Sequence, residues 1–267
     1  MHDEQFRQIL RFFGLSWSGY RRVRRGVMKR LRAHMLALEC RNLKEYLQRL
    51  EMDTEERQKS ERFMDVSISR FFRDRLLWQA LEGEVLPGLI LGAREGIRVW
   101  SAGCACGEEA YSLKIVWQTL RNRFDRLPEL ELWATDANPV FLERGREGIY
   151  TPSSLKELPD RLRSTSFECL PRKNRFALSA SLKKDIVWRL HNLVSEDPPS
   201  SDFHLVFLRN NLLTYYEKRR QIPAFGRVVS ALREGGVLVI GDQEKLPLES
   251  PQLIPLPCCP MIFEKTG

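Results

Sequence analysis

The residues with the clearest chemical character form a turn of small side chains followed at once by two acids. The turn is SAGCACG (101–107), and the acids are Glu108 and Glu109. Gly103 and Gly107 allow the backbone to bend and a ligand to approach it closely. The spacing is not that of a dinucleotide-binding G-x-G-x-x-G turn, and two carboxylates at a helix N-terminus would repel a pyrophosphate. The turn therefore disfavours a dinucleotide and favours a ligand that carries positive charge and no phosphate.

An acid at the end of the next predicted strand points to a nucleoside. The segment LELWATD (130–136) ends in Asp136, where a carboxylate can accept hydrogen bonds from both hydroxyls of a ribose. For this residue alone, a helix cap is an equally good interpretation. Together with the glycine turn, Asp136 predicts S-adenosylmethionine (SAM), a nucleoside that carries a sulfonium and an ammonium and no phosphate. The two features do not identify the reaction.

The elements that must position these residues alternate between strands and helices from about residue 97 onward. The predicted strands are IRVWSAG (97–103), LELWATD (130–136), IVWRL (186–190), FHLVFL (203–208) and GVLVIGD (236–242), with MIFEK (261–265) closing an edge. Helices are predicted over residues 108–120, 139–146 and 217–232. The alternation predicts an α/β fold with a Rossmann-like, doubly wound, mostly parallel sheet. In such a sheet, ligands bind beyond the C-terminal ends of the strands.

The chain is predicted to contain two domains. Apolar side chains recur at helical spacing on both sides of a break at residues 41–42, which predicts a small all-helical domain over residues 1–60. Residues 61–267 would then form the α/β domain. Within it, residues 151–185 are turn-rich and basic, and we expect a small hairpin or β-subdomain there.

A basic block lies in the predicted helical domain. Between Arg21 and Arg32 the sequence has seven basic residues and no acid. Arg25, Lys29 and Arg32 share one face of the predicted helix. The block is either a solvated helix face or a docking surface for an acidic partner, because a positive field speeds association with negative partners of any kind.

Composition restricts the class of protein. A chain of 267 residues with 43% hydrophobic residues can bury a core, and its formal net charge is +8. We expect a soluble, cytoplasmic protein, because the sequence lacks a signal-peptide layout and any apolar run near the ~20 residues of a membrane span. No metal site is expected, since Cys104-x-Cys106 and Cys258-Cys259 lack the spacing of a usual zinc chelate. Nothing in the sequence calls for more than a monomer.

Several segments resemble the CheR family, the SAM-dependent methyltransferases that esterify glutamate side chains on bacterial chemoreceptors. The resemblance covers about residues 15–245 and implies the class I methyltransferase type of Rossmann-like fold. The matching segments are SISRFFR (67–73) for the family's N-x-T-x-F-F-R, GEEAYS (107–112) for G-E-E-P-Y-S, ATD (134–136) through EGIY (147–150) for S-D-I-D…A-x-x-G-x-Y, HNL (191–193) for an N-L pair, and FLRN (207–210) with YY (215–216) for F-C-R-N-V-x-I-Y-F.

The resemblance also implies functional residues. With Gly103 of the turn, the expected cofactor contacts are Ser67, Ser69, Arg73, Glu108 or Glu109, Asp136, Asn192, Leu193, Arg209 and Asn210. The family's catalytic positions fall on Arg73 and Tyr215. Methyl transfer to a carboxylate needs no general base, because that nucleophile is already ionised at neutral pH. Arg73 could hold a carboxylate by a bidentate contact, and Tyr215 could orient the accepting oxygen.

The sequence departs from the family pattern at four places. Ser67 replaces the family's Asn, and Ser69 replaces its Thr. Ala110 stands where Pro is usual. One extra residue separates Asn210 from the tyrosine pair, which leaves Tyr216 as an alternative to Tyr215.

Three functions follow as hypotheses. The first is a protein-glutamate O-methyltransferase that acts on the acidic cytoplasmic helices of chemoreceptors, with S-adenosylhomocysteine (SAH) as product and the basic helix as docking surface. The second, motivated by the serine substitutions, is a CheR-like sensor or scaffold that binds SAM or SAH without transfer. The third is a nucleic-acid methyltransferase, motivated by the basic block. It is disfavoured because the sequence has neither an aromatic-rich RNA-binding signature nor an Asn/Asp-Pro-Pro-Tyr/Phe motif, so we expect no nucleic-acid partner.

Overall fold

The computed structural model describes residues 1–170 and 174–267. Its N-terminal part is mostly helical, as predicted for residues 1–60. The helices are α1 (Asp3–Phe13), α2 (Trp17–Tyr20), α3 (Arg24–Ala37), α4 (Leu43–Met52) and α5 (Thr54–Met64). Helix α5 runs through residue 60, and the division of the chain into domains at that residue stays a prediction. No helix among the described residues is long and apolar enough to cross a membrane.

Two of these helices begin at capping side chains that the sequence supplies. Asn42 accepts a hydrogen bond from the backbone N–H of Glu45 at 3.0 Å at the start of α4. Asp53 accepts bonds from the backbone of both Glu55 and Glu56 at 3.1 Å at the start of α5. Such caps satisfy N–H groups that a helix leaves unpaired. The five helices bury a shared apolar cluster that includes Phe6, Leu31 and Tyr46.

The rest of the chain alternates between helices and strands. The strands are β1 (Gly96–Ala102), β2 (Glu129–Asp136), β3 (Ile149–Tyr150), β4 (Phe167–Leu170), β5 (Arg175–Leu178), β6 (Ile186–Leu190), β7 (Phe203–Leu208), β8 (Leu232–Ile240), β9 (Leu253–Pro255) and β10 (Ile262–Lys265). The helices are α6 (Arg75–Ala80), a π-helical turn (Leu81–Val85), α7 (Leu86–Gly92), α8 (Glu108–Leu120), α9 (Pro139–Glu147), α10 (Asp160–Ser166), α11 (Ala180–Lys183), α12 (Leu212–Tyr215) and α13 (Lys218–Ser230).

Seven strands form one sheet in the order β6-β2-β1-β7-β8-β10-β9. The first five are parallel, and β10 is antiparallel to both β8 and β9. This confirms the predicted Rossmann-like, mostly parallel sheet. The prediction that residues 261–265 close an edge is wrong, because β10 lies inside the sheet and β9 is the edge strand. The three residues of β9 lie in a proline-rich segment without an alternating apolar pattern, which is why the sequence did not reveal them.

Apolar layers cover both faces of the sheet. Val99 and Leu205, which are paired neighbours in β1 and β7, face a cluster that includes α8. The next pair, Trp100 and Val206, faces a second cluster that includes α13. Strands that are buried on both faces place their polar groups at their ends, where a site can form.

A second, three-stranded antiparallel sheet has the order β3-β5-β4. Strands β4 and β5 lie within residues 151–185, for which a hairpin or β-subdomain was predicted, whereas β3 precedes that segment. Residues 171–173, in the connection between β4 and β5, lie outside the described residues. The role of this sheet as a subdomain stays a prediction.

Candidate active site

A cavity, here called the main cavity, opens at the C-terminal edge of the parallel strands. It collects most of the residues that the sequence singled out. From the sheet edge come Gly103, Asp136, Asn192, Leu193, Arg209 and Asn210. From the surrounding segments come Ser69, Arg73, Glu109 and Tyr215. Ser67 and Glu108 do not line the main cavity, and they line a second cavity described below.

The glycine turn folds back onto the end of β2. The N–H of Gly103 donates to the carbonyl of Thr135 at 2.8 Å, and the N–H of Ala105 donates to the Asp136 carboxylate at 3.0 Å. Gly103 has a φ of +84°, and a Cβ there would lie 1.9 Å from the Asn211 side-chain nitrogen. A side chain at this position would therefore meet both backbone strain and a steric clash.

Asp136 does not cap α9. The cap is Asn138, whose side-chain oxygen accepts from the N–H of Val140 at 2.9 Å. The Asp136 carboxylate accepts from the backbone N–H groups of Ala105 and Asn138 at 3.0 and 2.9 Å. Burial raises the pKa of Asp136, and these backbone hydrogen bonds oppose the rise. The carboxylate is thus held in place at the cavity wall, where it can accept further hydrogen bonds.

Arg209 is the centre of a buried ion cluster. Its guanidinium pairs with Asp74 at 2.7 Å and with Glu109 at 2.8 Å, and its side chain is only 3% exposed. It also donates to the carbonyl of Arg73 at 3.0 Å. Glu109 in turn accepts from the hydroxyl of Ser101 at 2.7 Å. Arg209 therefore ties the segment before α6 to α8 and to the end of β7, and its charge is balanced inside the protein.

The two acids that open α8 point to different places. Glu109 lines the main cavity, whereas Glu108 lines the second cavity. Glu108 is 4% exposed, and its Oε2 has no hydrogen-bond partner among the described residues. Burial raises the pKa of Glu108 to about 7. Of the two acids proposed as cofactor contacts, only Glu109 is placed at the sheet edge.

The segment 66–70, here called the strap, separates the two cavities. Ile68, Ser69 and Arg70 line both of them. Arg70 pairs with Glu157 at 3.0 Å, which fixes one end of the strap to the turn before α10. Ser67 is exposed and faces only the second cavity.

The N-terminal helices contribute, through Tyr20, to a second wall of the main cavity. Tyr20 packs against Tyr215, with ring centroids 5.0 Å apart, and its hydroxyl donates to the carbonyl of Met64 at 3.0 Å. The N–H of Ser16 donates to the carbonyl of Tyr215 at 2.7 Å. Gly19 lies so close to α12 that a Cβ would lie 2.2 Å from the carbonyl oxygen of Thr214. Sequence analysis missed Tyr20, because its partner lies at the other end of the chain.

The two neighbouring tyrosines have different surroundings. Burial raises the pKa of both hydroxyls. The Arg73 guanidinium opposes that rise for Tyr215. For Tyr216, the carboxylates of Glu61, Asp65 and Asp136 raise the pKa further, and Arg220 opposes them. Arg73 is thus the charged neighbour of Tyr215 rather than of Tyr216.

Asp65 is a second acid at the main cavity that sequence analysis did not identify. Its carboxylate accepts from the Asn138 side-chain amide at 2.8 Å, and its carbonyl accepts from Arg30 at 3.0 Å. Burial, with a contribution from Asp136, raises the pKa of Asp65 to about 7. The sequence showed only an acid in a charged connector, with nothing to indicate that the chain returns to the sheet edge at this residue.

The chemistry of the main cavity fits a cationic nucleoside. Asp65 and Asp136 form no salt bridge within the part of the chain that the structure describes. Two such carboxylates favour a ligand that carries positive charge and hydroxyl donors. Gly103 lines this cavity and has no side chain of its own, so that a ligand can approach the backbone of the turn. Among the described residues, no group of three or more His, Cys, Asp or Glu side chains could hold a metal ion.

Comparison with known proteins identifies the family. Residues 67–258 match the family described as CheR methyltransferase, SAM binding domain. The chain is 34% identical over 181 residues to a chemotaxis protein methyltransferase of Listeria monocytogenes, covering 68% of this chain and 66% of that protein. It is 30% identical over 241 residues to a chemotaxis protein methyltransferase of Borreliella burgdorferi, covering 88% and 84%.

A third relative is much longer than this chain. It is an uncharacterised 104.1 kDa protein of Rhodobacter capsulatus, 33% identical over 222 residues, which are 82% of this chain and 23% of that protein. The chain thus spans about a quarter of the Rhodobacter relative and just under two thirds of the Listeria one. The family match covers more than half of the chain, and the fold and the acids at the sheet edge agree with it. The protein belongs to the CheR methyltransferase family, and residues 67–258 are its SAM-binding domain.

Proposed function

We propose that this protein is a protein-glutamate O-methyltransferase that transfers the methyl group of SAM to glutamate side chains of bacterial chemoreceptors. One observation carries the proposal: the main cavity brings the acids at the sheet edge together with Arg73 and Tyr215. The acids suit a cationic methyl donor, and the arginine–tyrosine pair suits a carboxylate acceptor. The names of the Listeria and Borreliella relatives support chemotaxis as the setting.

The sheet edge would hold the cofactor. Asp136 would accept the ribose hydroxyls, and Asn192 and Leu193, which follow β6, would contact the base. Glu109 would face the amino-acid end, where its cluster with Asp74 and Arg209 keeps one net negative charge that suits an ammonium. When bound, SAM supplies an electrophilic methyl group that passes to a carboxylate oxygen as its carbon–sulfur bond breaks, leaving neutral SAH.

The opposite wall would hold the acceptor. Arg73 donates to the carbonyl of Ile68 at 3.2 Å through one guanidinium nitrogen, which leaves its other N–H groups available for a carboxylate. Because burial raises the pKa of Tyr215, its hydroxyl is protonated at neutral pH and can donate a hydrogen bond. The acceptor carboxylate is ionised at that pH, so neither residue needs to remove a proton. Both would act by orienting the accepting oxygen and by excluding water.

The basic block would form the docking surface for the acidic receptor helices. Three of its arginines are used inside the protein: Arg24 pairs with Asp3, and Arg30 and Arg32 donate to backbone carbonyls. Arg32 is therefore less available than the sequence suggested. Arg25 and Lys29 are exposed on α3 and have no salt-bridge partner among the described residues. An exposed, unpaired cationic face fits an acidic helix, and this interaction would take place in the cytoplasm with the protein as a monomer.

The test is transfer of a radiolabelled methyl group. The protein is incubated with tritiated SAM and the cytoplasmic fragment of a chemoreceptor. The label should appear on the receptor and be released as methanol by mild base, because carboxyl methyl esters are alkali-labile. A label that survives mild base would exclude glutamate esterification.

A second candidate function is a module that binds SAM or SAH without transfer. The serine substitutions in residues 67–73 motivate it, and Ser67, which was expected to contact the cofactor, is exposed and does not line the main cavity. The module hypothesis predicts SAH binding by calorimetry with no label on any receptor fragment. Transfer to even one fragment would reject it.

A further inference from the structure

The second cavity lies on the far side of the strap from the main cavity. Glu108 and Tyr150 line it from within, together with the exposed arginines Arg144 of α9 and Arg175 of β5. The transfer reaction proposed above does not use these residues, apart from the sequence-based expectation for Glu108. The cavity therefore needs its own explanation.

Glu108 is an unusual residue for the wall of a cavity. It is 96% buried, and its Oε2 finds no partner among the described residues. A buried polar atom without a partner costs free energy unless a ligand or water satisfies it. Since burial raises the pKa of this carboxyl to about 7, a large share of it keeps its proton at neutral pH. In that form it can donate a hydrogen bond as well as accept one.

The other groups on the lining are mostly hydrogen-bond donors. Arg144 and Arg175 have no salt-bridge partner within the described ranges, whereas Arg146, on the same helix as Arg144, pairs with Glu143 at 3.3 Å. The strap and the turn that follows β3 add hydroxyl groups, including those of Ser67 and Ser153. The other acid on the lining, Glu147, is exposed to solvent.

We propose that the second cavity binds the carboxylate of an aspartate or glutamate side chain of an acidic polypeptide. Two guanidinium groups can neutralise such a carboxylate, hydroxyls can donate to it, and a protonated Glu108 can share its proton with it. A phosphate would place a second negative charge beside Glu108 and is less well matched. The inference rests on the proposed function in one respect, namely that this acidic polypeptide is the methyl acceptor. The cavity would then hold a carboxylate other than the one that is methylated.

Binding of an acidic peptide tests the inference without requiring methyl transfer. The probe is a fluorescein-labelled synthetic helix rich in Glu and Ala, titrated with the full chain and followed by fluorescence anisotropy. Arg144→Ala should weaken binding by about tenfold, as expected for loss of a charge-assisted contact. Arg146→Ala is the matched control, because it removes the same charge from the same helix, and it should change the affinity less than about twofold.

Glu108→Gln distinguishes the sign of the ligand charge. Glutamine keeps the shape and can donate a hydrogen bond at every pH, so the peptide should bind at least as tightly as it binds the wild type. A tenfold loss in this variant would show that the cavity needs a negative charge and hence takes a cation, which would overturn the inference.

Three further results would also overturn it. If Arg144→Ala and Arg146→Ala weaken peptide binding equally, the effect arises from the overall charge of the protein and not from the cavity. Inorganic phosphate that displaces the peptide while acetate does not would assign the cavity to phosphate. Weaker SAH binding by Arg144→Ala, with unchanged peptide binding, would assign the cavity to the carboxylate of the cofactor.

Failure of the proposed function is recognised separately. The wild type could bind the peptide, and Arg144→Ala but not Arg146→Ala could weaken that binding, while no receptor fragment is methylated. That result would support the carboxylate site in the second cavity and reject the transferase proposal.

Discussion

The two walls of the main cavity are built in different ways. At the sheet edge, the glycine turn and Asp136 are held by main-chain hydrogen bonds between neighbouring strands, such as Gly103 to Thr135 at 2.8 Å. The other wall, here called the helical wall, is lined by Tyr20, Arg73 and Tyr215. There Tyr20 packs against Tyr215, which is distant from it in the sequence. The first wall depends on the sheet register, and the second depends on how the N-terminal helices dock.

The two kinds of wall suit different tasks, namely binding the cofactor and placing the acceptor. A rigid edge with fixed acids suits the binding of a cofactor that is the same in every turnover. A wall made by docking one part of the chain on another suits the placement of an acceptor supplied by a different protein. Changes at the sheet edge should therefore alter cofactor affinity, whereas changes on the helical wall should alter turnover.

The largest effect is expected at the sheet edge. Asp136→Asn should lower the affinity for SAH by about 100-fold, because hydrogen bonds to an ionised group each contribute about 1.5–3 kcal/mol. Isothermal titration calorimetry measures the change. Glu131→Gln, on the same strand but in an exposed pair with Arg98, is the control and should bind SAH like the wild type. If Asp136→Asn binds SAH as tightly as the wild type does, the sheet edge is not the wall that binds the cofactor.

Substitutions on the helical wall should lower the rate of methyl transfer much more than the affinity for the cofactor. Tyr215→Phe and Arg73→Ala should each lower the rate of methyl transfer by about 10- to 100-fold, up to the scale expected when a reacting group is misplaced. In both variants the affinity for SAH should fall much less than turnover, since the sheet edge is intact. Tyr216→Phe is the matched control. If this variant loses more activity than Tyr215→Phe, Tyr216 has the catalytic place.

The basic face of α3 should affect substrate binding without affecting chemistry. The double variant Arg25→Glu and Lys29→Glu should raise KM for a receptor fragment by about tenfold and leave kcat unchanged. The effect should shrink as salt is added, because exposed charges are screened. Lys44→Glu, on α4, changes charge within the same helical part and is the control. A fall in kcat with constant KM would place α3 in the chemical step instead.

The smallest effect is expected at Asp65, in stability rather than activity. Burial raises the folded-state pKa of this carboxyl to about 7, above its ordinary value of 3.8. The folded protein therefore binds the proton more tightly, and the free energy of unfolding falls as pH rises from about 4 to 7. Asp65→Asn should add about 1–3 kcal/mol at pH 8 and nothing at pH 4, as measured by urea unfolding. The exposed Asp160→Asn variant should show no such pH-dependent gain. An equal gain at both pH values would contradict a buried carboxyl at Asp65.

The sequence predicted the sheet edge better than the helical wall, for a physical reason. Strand β1, the turn after it and the acid that ends β2 each have a local signature, and the parallel topology alone brings strand ends together. The contact of Tyr20 with Tyr215 and the return of Asp65 to the sheet edge have no local signature. Each depends on how segments that are distant in the sequence pack against one another.

The strap shows a second limit of sequence-based prediction. Ser67 and Ser69 were expected to contact the same cofactor because they share a motif. In the structure Ser69 lines both cavities, while Ser67 lines only the second. Glu108 and Glu109 diverge in the same way. Glu108 and Glu109 are adjacent in a helix, where neighbouring side chains point in different directions. The two serines are separated by a tight turn, in which the N–H of Ser69 donates to the carbonyl of Ser67 at 3.0 Å. A motif match therefore cannot decide which of two cavities each residue faces.

Calorimetric titration of SAH into the wild type, Asp136→Asn and Tyr215→Phe shows whether the cofactor binds at the sheet edge. We expect the wild type and Tyr215→Phe to bind one equivalent of SAH with similar affinity, and Asp136→Asn to form a much weaker complex. Wild-type protein that does not bind SAH, or that binds it equally well after Asp136→Asn, would contradict the placement of the cofactor at the sheet edge.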